Sequence, residues 1–259
     1  MRIALRDLLK SGEPVIQTIL QMPSLEMIEI LAAAGVNHII IDNEHTYTTM
    51  EQTINMVRTC DSVGVAASVR IPTVLEDSIK KVLDMGASGI VLPNVSTPEQ
   101  VYGLLKYAKH APEGYRGACP YVRVNKYGLD DVTDYYARAN EEVFIQIMVE
   151  DPLGVENLEE IFKIDGVDCI WIGGVDLAIY LGYPGQTGHP QVLAARDKVE
   201  RLAEKYGKYT NLTAYNPEVD IAPYKGRPLL TTYMVPKPEP FIVGAYKKLC
   251  DSIKEVLER

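Results

Sequence analysis

Little in this sequence could brace a fold from outside or address it to a membrane. The four cysteines, Cys60, Cys119, Cys169 and Cys250, are widely separated and form no CxxC pair, which excludes a disulfide scaffold and a zinc knuckle. Buried free thiols are the expected state. No apolar run approaches the length of a membrane span, and Arg2, Arg6, Asp7 and Lys10 interrupt any signal-peptide core. A cytoplasmic location with no membrane partner is therefore expected. Blocks of lysine and arginine are missing too, and a net charge of −9 repels a phosphate backbone, so nucleic acid is not an expected partner. An anionic substrate would need a local positive site. Nor does a glycine-rich phosphate loop follow the first expected strand, which argues against an open nucleotide-binding sheet.

What is present suits a large core: 47% of the 259 residues are hydrophobic and 24% charged. One α/β barrel takes about 250 residues, so a single domain over residues 1–259 is expected. Residues 2–11 set Ile3, Leu5, Leu8 and Leu9 near helical spacing, as a short amphipathic helix able to plug a barrel's lower end. After it one unit repeats. Strands are expected over 14–21, up to Asp42, and over 65–70, 88–92, 142–150, 169–172, 209–214 and 229–235. Between them the spacing predicts helices over 25–34, 50–62, 76–85, from Thr97, and over 131–139, 155–164, 190–206 and 241–257. Gly35, Gly64 and Gly86 stop three of these helices, and Pro98 opens another where its missing N–H costs nothing. This repetition is that of a (β/α)₈ TIM barrel of the α/β class. Two stretches break it. Residues 111–130 read as a lid or an active-site border, and 215–227, with Pro217 and Pro223, has room only for a short helix.

In such a barrel, ligands bind at the carboxyl ends of the strands. Those ends carry Asp42, Glu44 and His45, then Arg70, Pro93 and Asn94, Glu150 and Asp176. His45 sits where a catalytic base should, although this stretch also suits a helix cap. Glu150 and Asp176 end neighbouring strands, and two hard oxygen ligands there suit Mg²⁺, Mn²⁺ or Co²⁺. Either acid could instead cap a helix. Arg70 can stabilise an anion or pair with Glu44. Asp84, in an apolar helix end, is either a buried partner orienting His45 or part of a solvated face. His38, His110 and His189 read as structural, the last two in surface segments. No lysine falls at a strand's carboxyl end, so a Schiff-base mechanism has no candidate.

Together these motifs resemble the metal-dependent (class II) pyruvate aldolases of the HpcH/HpaI aldolase and citrate lyase superfamily. The likeness runs over about residues 20–190. It rests on Asp42-Asn43-Glu44-His45, Val69-Arg70-Ile71-Pro72, Leu83-Asp84-Met85-Gly86, Gly114-Tyr115-Arg116-Gly117, Val149-Glu150, and Ile172-Gly173 ahead of Asp176-Leu177. The resemblance implies a barrel assembled as a hexamer, a trimer of dimers, with the last helix exchanged between subunits. It implies Glu150 and Asp176 as metal ligands, with His45, paired to Asp84, and Arg70 in catalysis. The N–H groups of Gly174, Val175 and Asp176 would hold the pyruvate carboxylate. The chain departs from the family pattern at Met148, where glutamine is usual; Gln146, one strand repeat deeper, is a partial substitute. It departs again at Gly173-Gly174, at Gly117-Ala118-Cys119-Pro120-Tyr121, and in the stiff Pro236-Lys237-Pro238-Glu239-Pro240 segment.

The expected function is that of a carbon–carbon lyase: divalent-metal-dependent retro-aldol cleavage of a 4-hydroxy-2-oxo acid to pyruvate and an aldehyde, through a metal-bound enolate. A synthase using the same enolate of pyruvate or oxaloacetate is the alternative, and a non-catalytic ligand-binding barrel a further one. Ile19, Met148, Leu212 and the 115–128 loop are the expected specificity elements, each with a core-packing role as the competing reading.

Overall fold

The computed structural model describes residues 3–227, 229 and 232–258. The chain runs α1 (Leu5–Ser11), β1 (Val15–Leu20), α2 (Leu25–Ala33), β2 (His38–Asp42), α3 (Met50–Ser62), β3 (Ala66–Arg70), α4 (Glu76–Asp84), β4 (Gly89–Leu92), α5 (Pro98–Ala108) and α6 (Val132–Glu142). It continues with β5 (Phe144–Val149), α7 (Pro152–Phe162), β6 (Cys169–Ile172), α8 (Gly174–Tyr180), α9 (Pro190–Tyr206), β7 (Asn211–Thr213), α10 (Pro217–Asp220), β8 (Thr232–Met234) and α11 (Pro238–Leu257). Local chemistry sets the boundaries. The Ser24 hydroxyl accepts the Met27 N–H, Thr49 and Gln52 form a capping box, and Asp151 accepts the Gly154 N–H ahead of Pro152 in the first turn.

All strand pairs are parallel, in the order β6-β5-β4-β3-β2-β1-β8-β7. A single bridge between Cys169 and Tyr209 joins β6 to the segment before β7, so the barrel closes at the lower end of that seam. Ile39, Ile41, Val69, Ile145, Ile147, Val149 and Ile170 face outward into the main core against the helices. The alternate residues fill the inside in layers. At the bottom, Val15, Ala66, Phe144 and Cys169 pack on Leu5 and Leu9, so α1 plugs that end as its spacing predicts.

A polar layer lies above the plug. His38 Nδ1 donates to Gln17 Oε1 at 2.7 Å, while its Nε2 accepts from the Ser68 hydroxyl at 2.8 Å. Gln146 Nε2 donates to the same Ser68 Oγ at 3.4 Å, and Gln17 Nε2 to Asn211 Oδ1 at 2.7 Å. Burial pushes His38 down to about 3, so it is neutral in this network. Above, Ile19, Ile40, Val91, Met148 and Trp171 form an apolar floor.

Several expectations need correction. The 111–130 loop does not border the mouth: Arg116 pairs with Asp84 and Arg123 with Asp61, each at 2.6 Å, and Arg123 also reaches the Met85 carbonyl. That loop follows a helix, and barrel helices run antiparallel to the strands, so their exits return to the amino ends. His110 is buried rather than on the surface, with Nδ1 against the Arg116 carbonyl at 3.1 Å. Cys119 and Cys250 are exposed, while Cys60 and Cys169 are buried. The seventh strand is shorter than expected. Of the expected eighth strand, residues 230 and 231 lie outside the described residues. Among the described residues, no helix is long and apolar enough to cross a membrane.

The His38 layer yields a pH dependence. Its folded pKa lies below the unfolded value, so the unfolded state binds the extra proton as pH falls through about 6.5. Stability is therefore full above that pH and is lost toward acid, by roughly 2 kcal/mol between pH 7 and pH 5 for one such group. Urea unfolding at both pH values should show a smaller acid loss for His38→Asn than for the unaltered chain.

Candidate active site

Asp42 and Arg70 are Cα partners in the β2–β3 register, and both point into the barrel mouth. Arg70 Nε donates to Asp42 Oδ1 at 2.9 Å and Nη2 to Oδ2 at 2.6 Å. Its Nη1 lies 3.0 Å from Glu44 Oε2. Burial alone would push the Asp42 carboxyl up, but the Arg70 guanidinium, with help from Gln21 and the Glu44 N–H, holds it below its ordinary value. The same carboxylate shapes the turn after β2, accepting the Glu44 N–H at 2.9 Å. His45 is thereby set at the rim, its side chain 58% exposed, with Nε2 at 3.4 Å from Glu44 Oε2.

On the opposite side stands Glu150, buried at the end of β5. Its Oε2 accepts the Asn94 N–H at 2.9 Å, and Asn94 Nδ2 donates to Glu44 Oε1 at 3.0 Å. Asn94 holds a left-handed φ of 55°, which asparagine tolerates better than most residues. Gly173 leaves the room that Glu150 Oε1 occupies, since a Cβ there would overlap that carboxylate. Burial pushes Glu150 up to about 7, Asp176 and Glu44 add to the rise, and the Asn94 N–H and Arg70 oppose it.

Glu150 and Asp176 are thus two neighbouring carboxylates beside a glycine cradle. This donor set fits a hard divalent cation whose remaining positions go to water and substrate oxygens. Among the described residues, no group of three or more side chains assembles as a metal site. After Gly173, the first bond of α8 runs from the Leu177 N–H to the Gly173 carbonyl at 3.1 Å. The N–H groups of Gly174, Val175 and Asp176 therefore have no intrahelical acceptor.

Three expected site residues lie elsewhere. Asp84 ends α4 at the amino-terminal face and binds Arg116 Nη2 at 2.6 Å, so no His45–Asp84 pair forms within the described chain. Gln146 is held in the polar layer, with the apolar floor above it, and does not reach the mouth. Leu212 follows the inward-facing Asn211, so strand alternation turns it outward, into a cavity against α9. Ile19 and Met148 do lie beneath the site.

Four other side chains were not singled out by sequence reasoning. Gln21 Nε2 donates to Asp42 Oδ2 at 2.9 Å. Trp171, in the floor, has a buried Nε1–H with no partner among the described residues. Glu239 Oε1 accepts the N–H groups of Gln21 and Met22, each at 2.9 Å, which pins the 235–240 segment to the mouth. Lys237, on that segment, is the lysine at a strand's carboxyl end that the sequence reading lacked. The expected strand over 229–235 ends two residues before it, but the Pro236–Pro240 segment reads in the sequence only as a stiff insertion.

A family model described as HpcH/HpaI aldolase/citrate lyase matches residues 20–217, more than half of the chain, and the chain belongs to that family. It is 33% identical over 186 residues to the 5-keto-4-deoxy-D-glucarate aldolase of Shigella boydii, covering 72% of each. It is also 33% identical over 187 residues to the hydroxypyruvate/pyruvate aldolase of Sagittula stellata, covering 72% of this chain and 73% of that one. The solved citrate synthase SbnG matches with a TM-score of 0.88 and 27% identity, over 99% of both chains. The chain is an aldolase, a carbon–carbon lyase.

Asp42→Asn leaves the buried guanidinium short of its main partner. It should cost about 3 kcal/mol in urea unfolding, because removing one member of a buried pair strands the other charge. An unchanged unfolding midpoint would show that Glu44 alone satisfies Arg70.

Proposed function

We propose that this aldolase cleaves a 4-hydroxy-2-oxo acid to pyruvate and an aldehyde, with a divalent cation, Mg²⁺, Mn²⁺ or Co²⁺, held by Glu150 and Asp176. The observation that carries this is a buried Glu150 whose carboxyl is raised beside Asp176, a pair short of a cation, facing Arg70 and His45 across one mouth. When bound, the cation supplies Lewis-acid polarisation of the 2-oxo acid.

The side chains supply the rest. His45 takes the proton of the 4-hydroxyl, directly or through a water, and its exposure at the rim leaves it open to substrate. Carbon–carbon cleavage then places negative charge on the pyruvate enolate. Of the five N–H donors of a guanidinium, Arg70 commits two to hydrogen bonds with Asp42 and holds Nη1 in ion-pair contact with Glu44, which leaves donors for that charge. The N–H groups of Gly174, Val175 and Asp176, which have no intrahelical acceptor, receive the substrate carboxylate, and Ile19 and Met148 keep the floor dry. Protonation of the enolate carbon releases pyruvate.

The likeness to citrate synthase SbnG over nearly the whole chain supports a second reading, in which the same enolate adds to a carbonyl compound. Oxaloacetate and 4-hydroxy-2-oxo acids, assayed side by side by mass spectrometry, separate the two. We also propose a homo-oligomer, the hexamer of the family pattern, assembled through α11. That 20-residue helix leaves Phe241, Tyr246, Leu249, Ile253 and Val256 exposed.

Two outcomes are expected. Deuterium should exchange into the pyruvate methyl group in a reaction that stops with chelator, returns with added Mn²⁺ and falls at least about 100-fold in Glu150→Ala. Exchange indifferent to both treatments sinks the reading. Light scattering should report a hexamer, and a monomer would overturn the proposed assembly.

A further inference from the structure

A third carboxylate stands beside Glu150 and Asp176. Glu44, like Asp176, is near enough to repel the Glu150 charge, so it is near enough to matter to a cation held there. A hard divalent ion of this kind takes roughly six oxygen ligands, and a chelating 2-oxo acid needs neighbouring open positions among them. Glu44 in that shell would take a position that the substrate requires. An open shell therefore depends on what holds Glu44 back.

Its oxygens are held from different sides. Oε2 lies 3.0 Å from Arg70 Nη1 and 3.4 Å from His45 Nε2, while Oε1 accepts from Asn94 Nδ2 at 3.0 Å. A carboxylate only accepts, so the orientation of the Asn94 amide follows from its partner. The Asn94 N–H meanwhile donates to Glu150 Oε2 at 2.9 Å. One residue thus touches both acids, Glu44 through its side chain and Glu150 through its backbone.

That double reach rests on an unfavourable backbone. Asn94 holds a φ of 55°, a conformation that glycine adopts at no steric cost. The turn is pinned around it, with the Val95 N–H on the Met148 carbonyl at 3.0 Å and Gln100 Nε2 on the Asn94 carbonyl at 3.2 Å. Glycine would present the same N–H to Glu150 with less strain. What asparagine adds is the amide, and among the described residues that amide is bonded to Glu44.

We propose that Asn94 is a positioning residue that keeps Glu44 out of the coordination shell of the cation, so that the positions facing the mouth stay open to the 2-oxo acid. This rests on the site reading above, with the cation at Glu150 and Asp176. Without the amide, Oε2 keeps Arg70 while Oε1 is released toward the cation. Loss of Asn94 then strengthens cation binding and weakens substrate binding. A structural role alone has the opposite sign for the cation, because a loosened Glu150 holds it less well.

Asn94→Gly isolates the amide, since glycine keeps the left-handed backbone and its N–H. Calorimetry on the full-length protein measures Mn²⁺ alone, then pyruvate added to the Mn²⁺-loaded protein. Relative to the unaltered chain, Asn94→Gly should bind Mn²⁺ about 3- to 10-fold more tightly and pyruvate about 3- to 10-fold more weakly, the worth of one hydrogen bond used as a restraint. Water proton relaxation should show about one fewer water on the bound Mn²⁺. In a Glu44→Gln background the same substitution should leave Mn²⁺ affinity unchanged, because the gain requires the Glu44 carboxylate. An unchanged or weaker Mn²⁺ affinity in Asn94→Gly overturns the proposal, as does a gain that survives Glu44→Gln. Glu150→Ala reports separately on the metal reading: if it binds Mn²⁺ as well as the unaltered chain, or if neither binds it, that reading falls and the proposal with it.

Discussion

The paired Asp42 and Arg70 side chains are the contact on which the mouth of this barrel depends. Both are buried, and neither charge could stay there without the other. Their alignment in the β2–β3 register means that the sheet itself delivers them to each other. Other groups of the site hang on this pair. Asp42 also gathers Gln21 and turns the chain toward His45, Arg70 reaches Glu44, and Asn94 links Glu44 to Glu150. A continuous line of hydrogen bonds and ion pairs thus crosses the mouth from β1 to β5.

Beneath it, the interior is sorted by polarity. The apolar floor of Ile19, Ile40, Val91, Met148 and Trp171 separates the mouth from the His38 network. That separation has electrical consequences. With apolar side chains below it, the buried Glu150 meets the cost of burial and the repulsion of Asp176 and Glu44, which raises its carboxyl above the ordinary range. The polar layer below is satisfied almost entirely within itself, so His38 stays neutral and takes no part in the mouth's chemistry.

Much of the site was legible because strand periodicity and the carboxyl-end rule together pick out the same residues. His45, Arg70, Glu150 and Asp176 fall at strand ends in the sequence and come to one mouth in the structure. The misplacements have separate local causes. Asp84 and the 111–130 loop were read by motif and irregularity, without asking which end of the barrel a helix exit reaches. Leu212 was misplaced by one position of alternation, and Gln146 by one layer of depth. Lys237 lies two residues beyond the expected strand, in a proline-rich stretch whose direction no local period sets.

The sequence by itself determined the alternation of strands and helices, the plugging helix, the family, and which acids, histidine and guanidinium fall at strand ends, because each depends on local spacing and residue chemistry. Only the tertiary structure decided which of those groups share a space. Burial, the direction of each connection and the closure of the sheet bring residues far apart in the chain within reach, and no local pattern encodes them. Lys237 shows the difference: in the chain it is one lysine among prolines, and in the fold it is a half-buried cation near Arg70.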